Sequence, residues 1–400
     1  MGARRRQYTA RSRASREPGG FARREPSKGA RAGGDGADPG EPSAFCSGCA
    51  AGRVRAVPRD ARASPAVHAL RRRAYAAATG AGRAGASERE VHVAGKHLEG
   101  KVAIVTGGAG GMGSWISKIF AEQGAKVMVA DTGADVEGRM GVDPTRVNAV
   151  VDEIAKAGGE AVGAVGDVAE MEVAEGLVRT ALDRWGKLDI LVCAHGILRE
   201  RMLFNMTEDE WDGVVRAHVK GCFAPTKFAS IWWRAQRDHG GRIIYFTSTA
   251  GITGGAGQPN YSAAQQAKTG LMLSCAQALA RYKVTANCIS PGASTRMTDR
   301  GRGVDASVGA PSESAAGTAR DPKNVVPAIV YLASDAGADV TGRVIGATGH
   351  KITIWREPSW ERSIYSESPY WDIDTLFEVM PETLAVEDGA YLKQPPRLSP

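Results

Sequence analysis

The chain has no run of about 18 consecutive apolar residues, so it offers no candidate for a membrane-spanning helix. Cysteine is scarce, six among 400 residues, which argues against a disulfide-built scaffold and fits a reducing, cytoplasmic setting. Cys46 and Cys49 form a lone CxxC without a second ligand pair, so no metal site is expected. Residues 1–95 almost lack large aliphatic clusters and sustain neither a helical nor a strand period. Such a segment cannot bury enough apolar surface to offset its chain entropy, and a disordered extension is expected. It is also poor in acid. Residues 1–90 hold 18 Arg and one Lys against eight acidic residues, a net of +11, whereas the whole chain carries +7. The remainder is therefore mildly acidic, which argues against nucleic-acid binding by the folded part. The extension reads in three ways that composition leaves open: an Arg-rich transit peptide, a basic tail for anionic partners, or a stretch not native to the protein. Acidic residues at 17, 25, 35, 38 and 41 weaken the first.

From Leu98 the texture changes. Residues 101–105 predict a short apolar strand, followed by a Gly-rich turn and an amphipathic helix over 112–123. Further strands are expected at 127–130, 161–165, 188–192, 242–246 and 285–289. Helices are expected at 145–157, 171–185, 208–234, 260–281 and 322–333. Strict alternation of strand and helix predicts an α/β fold, a doubly wound parallel sheet with helices on both faces. The expected organisation is an extension at 1–95, this domain at 96–350 and an aromatic-rich tail at 351–400.

The first strand leads into Thr106-Gly107-Gly-Ala-Gly-Gly111-Met112-Gly113. Glycines there let the backbone turn sharply and bring N–H groups to a pyrophosphate at the helix N-terminus, where the dipole favours anions. The strand–turn–helix setting makes the fold Rossmann-type. Asp131 ends the second strand, 18 residues after Gly113. A carboxylate there accepts both ribose hydroxyls of an adenosine and repels a 2′-phosphate, so NAD is expected rather than NADP. Asp167 and Val168, after the third strand, are expected beside the adenine.

These segments resemble the short-chain dehydrogenase/reductase family. The residues Thr106, Gly107, Gly111 and Gly113 are similar to the family's TGxxxGxG turn. Ser248 ends a strand and Tyr261 follows 13 residues later, the spacing of the family's catalytic Ser/Tyr pair. Asn287-Cys-Ile-Ser-Pro291-Gly292 resembles the segment flanking the nicotinamide. Thr295 lies where the family often supplies a hydroxyl to the carboxamide, one residue short in spacing. A narrower likeness involves the insertion at 132–146, the segment 196–202, and Trp211 with His218-Val-Lys-Gly221. It is to the (3R)-hydroxyacyl-CoA dehydrogenase branch of peroxisomal multifunctional enzymes and its bacterial relatives. His commonly replaces a helix Asn in that branch, which makes His218 a catalytic candidate.

The resemblance implies NAD-dependent interconversion of a secondary alcohol and a ketone, on a 3-hydroxyacyl thioester or a steroid-like substrate. Tyr261 is then the acid/base, and Ser248 stabilises charge on the reacting oxygen. Gln265 departs from the pattern, since the family places a lysine there to bind the nicotinamide ribose and acidify the phenol. An unassisted tyrosine, with a pKa of about 10, is ionised only to roughly one part in a thousand at pH 7. The loss would cost on the order of 10² to 10³ in rate. Lys268 shares the helix face but lies about 4.5 Å farther along the axis, so it is either a partial replacement or a surface lysine. Cys193-Ala-His195-Gly196 is a second departure, standing where the family has Asn-Asn-Ala-Gly. Gly196 keeps the close approach to the cofactor, and the amide that ties neighbouring strands is lost. Cys193 and Cys222 are expected as small apolar fillers.

Residues 294–320 are rich in Gly, Ser and Ala, and Arg296, Arg300 and Arg302 lie near their start. In the family the matching region is the substrate lid, whose arginines would suit an anionic acyl-CoA; a solvated loop is the alternative reading. The tail's Trp355, Trp360, Tyr365, Tyr370, Trp371 and Phe377 are expected to cover the domain or a neighbouring subunit. Two functions stay open: an active NAD-dependent oxidoreductase, or an NAD-binding pseudoenzyme or assembly subunit silenced by Gln265. The resemblance implies a homodimer or homotetramer; from the charge distribution and the lack of a long apolar run, no nucleic-acid or membrane partner is expected.

Overall fold

All five residues of the first strand, Val102–Thr106 (β1), are buried, because helices cover both faces of the sheet that holds it. Alternate side chains along it serve opposite cores. Ala103 and Val105 pack with Ile116 and Phe120 on one face, while Val102 and Ile104 pack with Trp233 and Tyr245 on the other. This computed structural model describes residues 96–139, 141–298, 315–356, 363–365, 370–381 and 383–384. The expectations for residues 1–95, Cys46 and Cys49, Arg300, Arg302 and Trp360 lie outside the described residues.

After β1 come α1 (Gly111–Glu122), β2 (Lys126–Asp131), α2 (Thr145–Lys156), β3 (Ala161–Val165), α3 (Met171–Trp185) and β4 (Ile190–Cys193). Then follow α4 (Glu208–Val215), α5 (Gly221–Gln236), β5 (Gly241–Phe246), α6 (Thr249–Thr253), α7 (Pro259–Leu279), β6 (Val284–Pro291), α8 (Val326–Ala333), β7 (Val344–Thr348), β8 (Lys351–Ile354) and α9 (Ile373–Val379). The strands form one sheet in the order β3-β2-β1-β4-β5-β6-β7-β8. All neighbours are parallel except β7 and β8. The fold is the expected Rossmann-type doubly wound α/β sheet. The chain runs outward from β1 to β3 and then crosses to β4, so a crevice opens beyond the carboxyl ends of β1 and β4.

Two departures from the expected elements matter. The helix expected over 208–234 divides into α4, a π-helical turn at Arg216–Lys220, and α5. At its start Thr207 and Glu210 form a reciprocal capping box. The π turn widens the helix at His218, a geometry frequent at functional sites. The sheet also continues four residues into the expected tail, because β8 folds back antiparallel on β7. Of the described aromatics beyond it, Tyr365, Tyr370 and Phe377 are exposed to 88%, 75% and 77%, whereas Trp355 and Trp371 are half-buried.

Candidate active site

A cavity of about 420 Å³ occupies the crevice at the carboxyl ends of the strands. One end is made of backbone. Gly107 has φ +69°, and a Cβ there would lie 2.5 Å from the His195 nitrogen. A Cβ on Gly113 would lie 1.9 Å from the Gly107 oxygen, so the turn closes this tightly only with glycine at both positions. Gly111 and Met112 line the cavity with them. Thr106 does not. It is fully buried, and its hydroxyl is spent on the Val192 carbonyl at 3.3 Å and His195 Nδ1 at 2.5 Å. That contact also answers the lost strand-tying amide, because His195 joins the end of β4 to the end of β1.

Asp131 lines the cavity, and its carboxylate accepts from Ala109 N at 3.0 Å and Gly133 N at 2.9 Å. Arg146 and Arg296 line the same end. Burial and the neighbouring Arg146 lower the pKa of Arg296, and the nearby Asp131 and Asp135 oppose this. Asp167 and Val168 are cavity residues too, but Asp167 is already engaged. Arg216 Nη1 donates to it at 2.5 Å and Ala169 N at 2.8 Å. Burial alone would raise the Asp167 pKa; the Arg216 guanidinium and the Ala169 N–H turn that into a net lowering. Arg216 also reaches Glu170, and no signal in the sequence singled it out.

The other end is made of side chains. Tyr261, in the first turn of α7, lines the cavity with its phenol in hydrogen-bonding reach of Ser248 and Gln265. Burial raises the phenol's pKa above its usual value, and those two groups offset the rise only in part. Ser248 itself lies behind the lining and caps α6 by accepting from Ala250 N at 3.2 Å. His218, in the π turn, meets the Tyr261 ring edge-on with centroids 5.2 Å apart. Gln265 and Lys268 are both buried and both reach His218, at 3.3 and 3.2 Å. Lys268 is therefore not a surface lysine. Burial holds the His218 imidazole well below its ordinary pKa, and the Lys268 amine adds to this. Burial likewise lowers the pKa of Lys268.

Four further expected positions are placed by packing. A Cβ on Gly196 would lie 2.2 Å from His218 Cε1, so this glycine seats the imidazole as well as lining the cavity. Pro291 and Thr295 line the cavity; Gly292 does not, and a Cβ on it would strike Thr348 Oγ1 at 2.0 Å. Cys193 and Cys222 are fully buried, and the four described cysteines are free. Among the described residues no helix is long and apolar enough to cross a membrane, and no cluster of His, Cys, Asp and Glu could hold a metal ion.

Comparison with known proteins agrees with this fold. The family described as short chain dehydrogenase matches residues 101–304. The chain is 38% identical over 302 residues to the hydroxyacyl-CoA dehydrogenase ChsB1 of Mycobacterium tuberculosis, covering 73% of this chain and 90% of that protein. It is 39% identical over 202 residues to the peroxisomal multifunctional enzyme type 2 of Mus musculus, covering 50% of this chain and 27% of that much longer protein. The crystal structure of a short chain dehydrogenase from Mycobacterium avium superposes with a TM-score of 0.62 at 39% identity, covering 72% of this chain and 96% of that one.

Proposed function

The chain belongs to the short chain dehydrogenase family, and from that premise we propose that it interconverts a secondary alcohol and a ketone with NAD. The observation that carries this reading is one cavity with the glycine turn at one end and Tyr261, backed by Ser248, at the other. The residues fit a dinucleotide on two counts. The turn at 107–113 offers N–H groups at a helix N-terminus, with glycine at five of its seven positions. At the far end the Gln265 Oε1 is a buried acceptor without a partner. The turn would hold the pyrophosphate, Asp131 the adenosine ribose, Gln265 the second ribose, and Pro291 and Thr295 the carboxamide side.

When bound, the nicotinamide supplies the hydride acceptor or donor. The protein's own task is the proton. Tyr261 Oη takes the hydroxyl proton during oxidation and returns it to the carbonyl oxygen during reduction. Ser248 donates to the same oxygen and stabilises its developing charge. NAD over NADP rests on Asp131, whose carboxylate repels a 2′-phosphate. A 3-hydroxyacyl-CoA is the substrate class we favour, because a hydroxyacyl-CoA dehydrogenase is similar over most of both chains. The free cysteines suit a reducing compartment such as the cytoplasm. A homodimer or homotetramer would cover the aromatics that one chain leaves exposed on its tail.

A second reading has its own observation. Gln265 brings no charge to Tyr261, whose pKa burial has raised, so the chain would bind NAD and turn over weakly or not at all. NADH formation by the full chain, given NAD and a panel of 3-hydroxyacyl-CoA and steroid alcohols, separates the two. Activity that falls about 10²-fold or more in Tyr261→Phe supports the enzyme. Binding without turnover, with turnover gained in Gln265→Lys, supports the pseudoenzyme.

A further inference from the structure

A buried imidazole at the reaction end meets side-chain donors at one nitrogen and a backbone carbonyl at the other. His218 is 2% exposed, and its Nε2 lies 2.8 Å from the Ile197 carbonyl oxygen. Its Nδ1 lies 3.2 Å from Lys268 Nζ and 3.3 Å from Gln265 Nε2. An ammonium can donate but never accept. Beside the Lys268 ammonium the Nδ1 is therefore bare, and the ring's single hydrogen sits on Nε2, where the Ile197 oxygen receives it at 2.8 Å; the Ile197 N–H, 3.3 Å from the same nitrogen, is the longer and weaker contact. Burial keeps the ring neutral, so it cannot carry hydrogens on both nitrogens.

A bare Nδ1 leaves the Gln265 amide one orientation, with its NH₂ toward the ring. Its Oε1 is then turned away, and this oxygen is buried, belongs to a cavity-lining residue and has no hydrogen-bond partner. An orphaned acceptor is costly until a donor reaches it. No ammonium stands at position 265 to act as a donor, so the polarity offered to a ligand is that of an acceptor.

We propose that Lys268 is a positioning residue: through His218 it fixes the polarity of the Gln265 amide, so that Oε1 accepts a hydroxyl from the second ribose of a dinucleotide. The inference rests on reading the cavity as a dinucleotide site. Lys268 acts one imidazole away from Tyr261, orienting the cofactor's diol rather than touching the reacting oxygen. Arg could keep the donor and the charge at 268, whereas Met would fill the space and free the ring to flip.

Calorimetry on the full chain tests this with two probes, ADP, which ends at the pyrophosphate, and ADP-ribose, which carries the second diol. Lys268→Met and Gln265→Leu should each weaken ADP-ribose about tenfold, the effect of one hydrogen bond, and leave ADP unchanged. Lys268→Arg should restore ADP-ribose binding. Equal ADP-ribose affinities in all variants, or an equal loss for ADP, would overturn the proposal. Nitrogen NMR of the unaltered chain provides a second measurement that reads the ring directly, with the His218 signals identified by their loss in His218→Asn. A hydrogen on Nε2 supports the proposal, and a hydrogen on Nδ1 overturns it by reversing the amide. Failure of ADP to bind the unaltered chain would instead sink the dinucleotide reading itself.

Discussion

The two ends of the cavity are built from different materials. At the phosphate end backbone does the shaping, through glycines whose neighbours leave no room for a Cβ, with one carboxylate at the rim. At the reaction end a cluster of buried polar side chains, Tyr261, Gln265, His218 and Lys268, comes from the π turn and α7. The difference teaches how each end can change. A backbone cradle tolerates almost no substitution, because a single added carbon strikes a carbonyl. A side-chain network has more latitude, because long side chains reach one imidazole from different turns, as Gln265 and Lys268 both do.

The sharpest way to break the comparison is at the cradle. Gly113→Ala places a carbon 1.9 Å from the Gly107 oxygen, so ADP binding should vanish by calorimetry. Native affinity in that variant would show that the cradle is not backbone-limited. The next effect belongs to the other end. Because burial holds the Tyr261 pKa above 10, the ionised fraction grows about tenfold per pH unit up to that value. Alcohol oxidation should therefore climb without a plateau below about pH 10 in a rate profile, and Gln265→Lys should bring the plateau down. A plateau near neutrality in the unaltered chain would mean that Lys268 already acidifies the phenol.

A smaller effect sits at the rim. Removing the carboxylate in Asp131→Ala leaves Arg146 and Arg296 facing the same end, so the NAD-to-NADP affinity ratio should fall at least about tenfold. An unchanged ratio would show that Asp131 does not select the cofactor. The smallest effect is on stability. As the pH falls below about 6.5, the unfolded chain takes up a proton at His218 that the buried ring refuses. Stability from this group is thus complete above about pH 6.5 and is lost below it, at up to about 1.4 kcal/mol per pH unit. Melting curves at pH 7.5 and 5.5 should show this fall, and His218→Asn should flatten it.

Much of this contrast was legible in the sequence. The third strand and the third helix lie where the alternation put them, because amphipathic period and turn residues are local signals. The cradle was legible for the same reason, since a glycine turn between strand and helix is a contiguous feature. Motif membership does not say which way a side chain points: Thr106 belongs to the turn's motif, yet its hydroxyl faces His195 and not the cavity. Gly196 and Gly292 were assigned to the cofactor, yet the one also seats His218 and the other packs on Thr348. Arg216 was invisible, because its partner Asp167 is 49 residues away and only the fold brings them together.

Local pattern thus determined the alternating elements, the sheet they form, the phosphate turn and the Ser248–Tyr261 spacing. Those depend on residues close in the chain, where helical and strand periods act directly. Only the tertiary structure decided what Gln265 faces, that Lys268 is buried, and which nitrogen of His218 is bare. These are settled by contacts across some 20 to 50 positions of chain, and a side chain's polarity inside a dry site follows from whichever donors and acceptors packing brings to it.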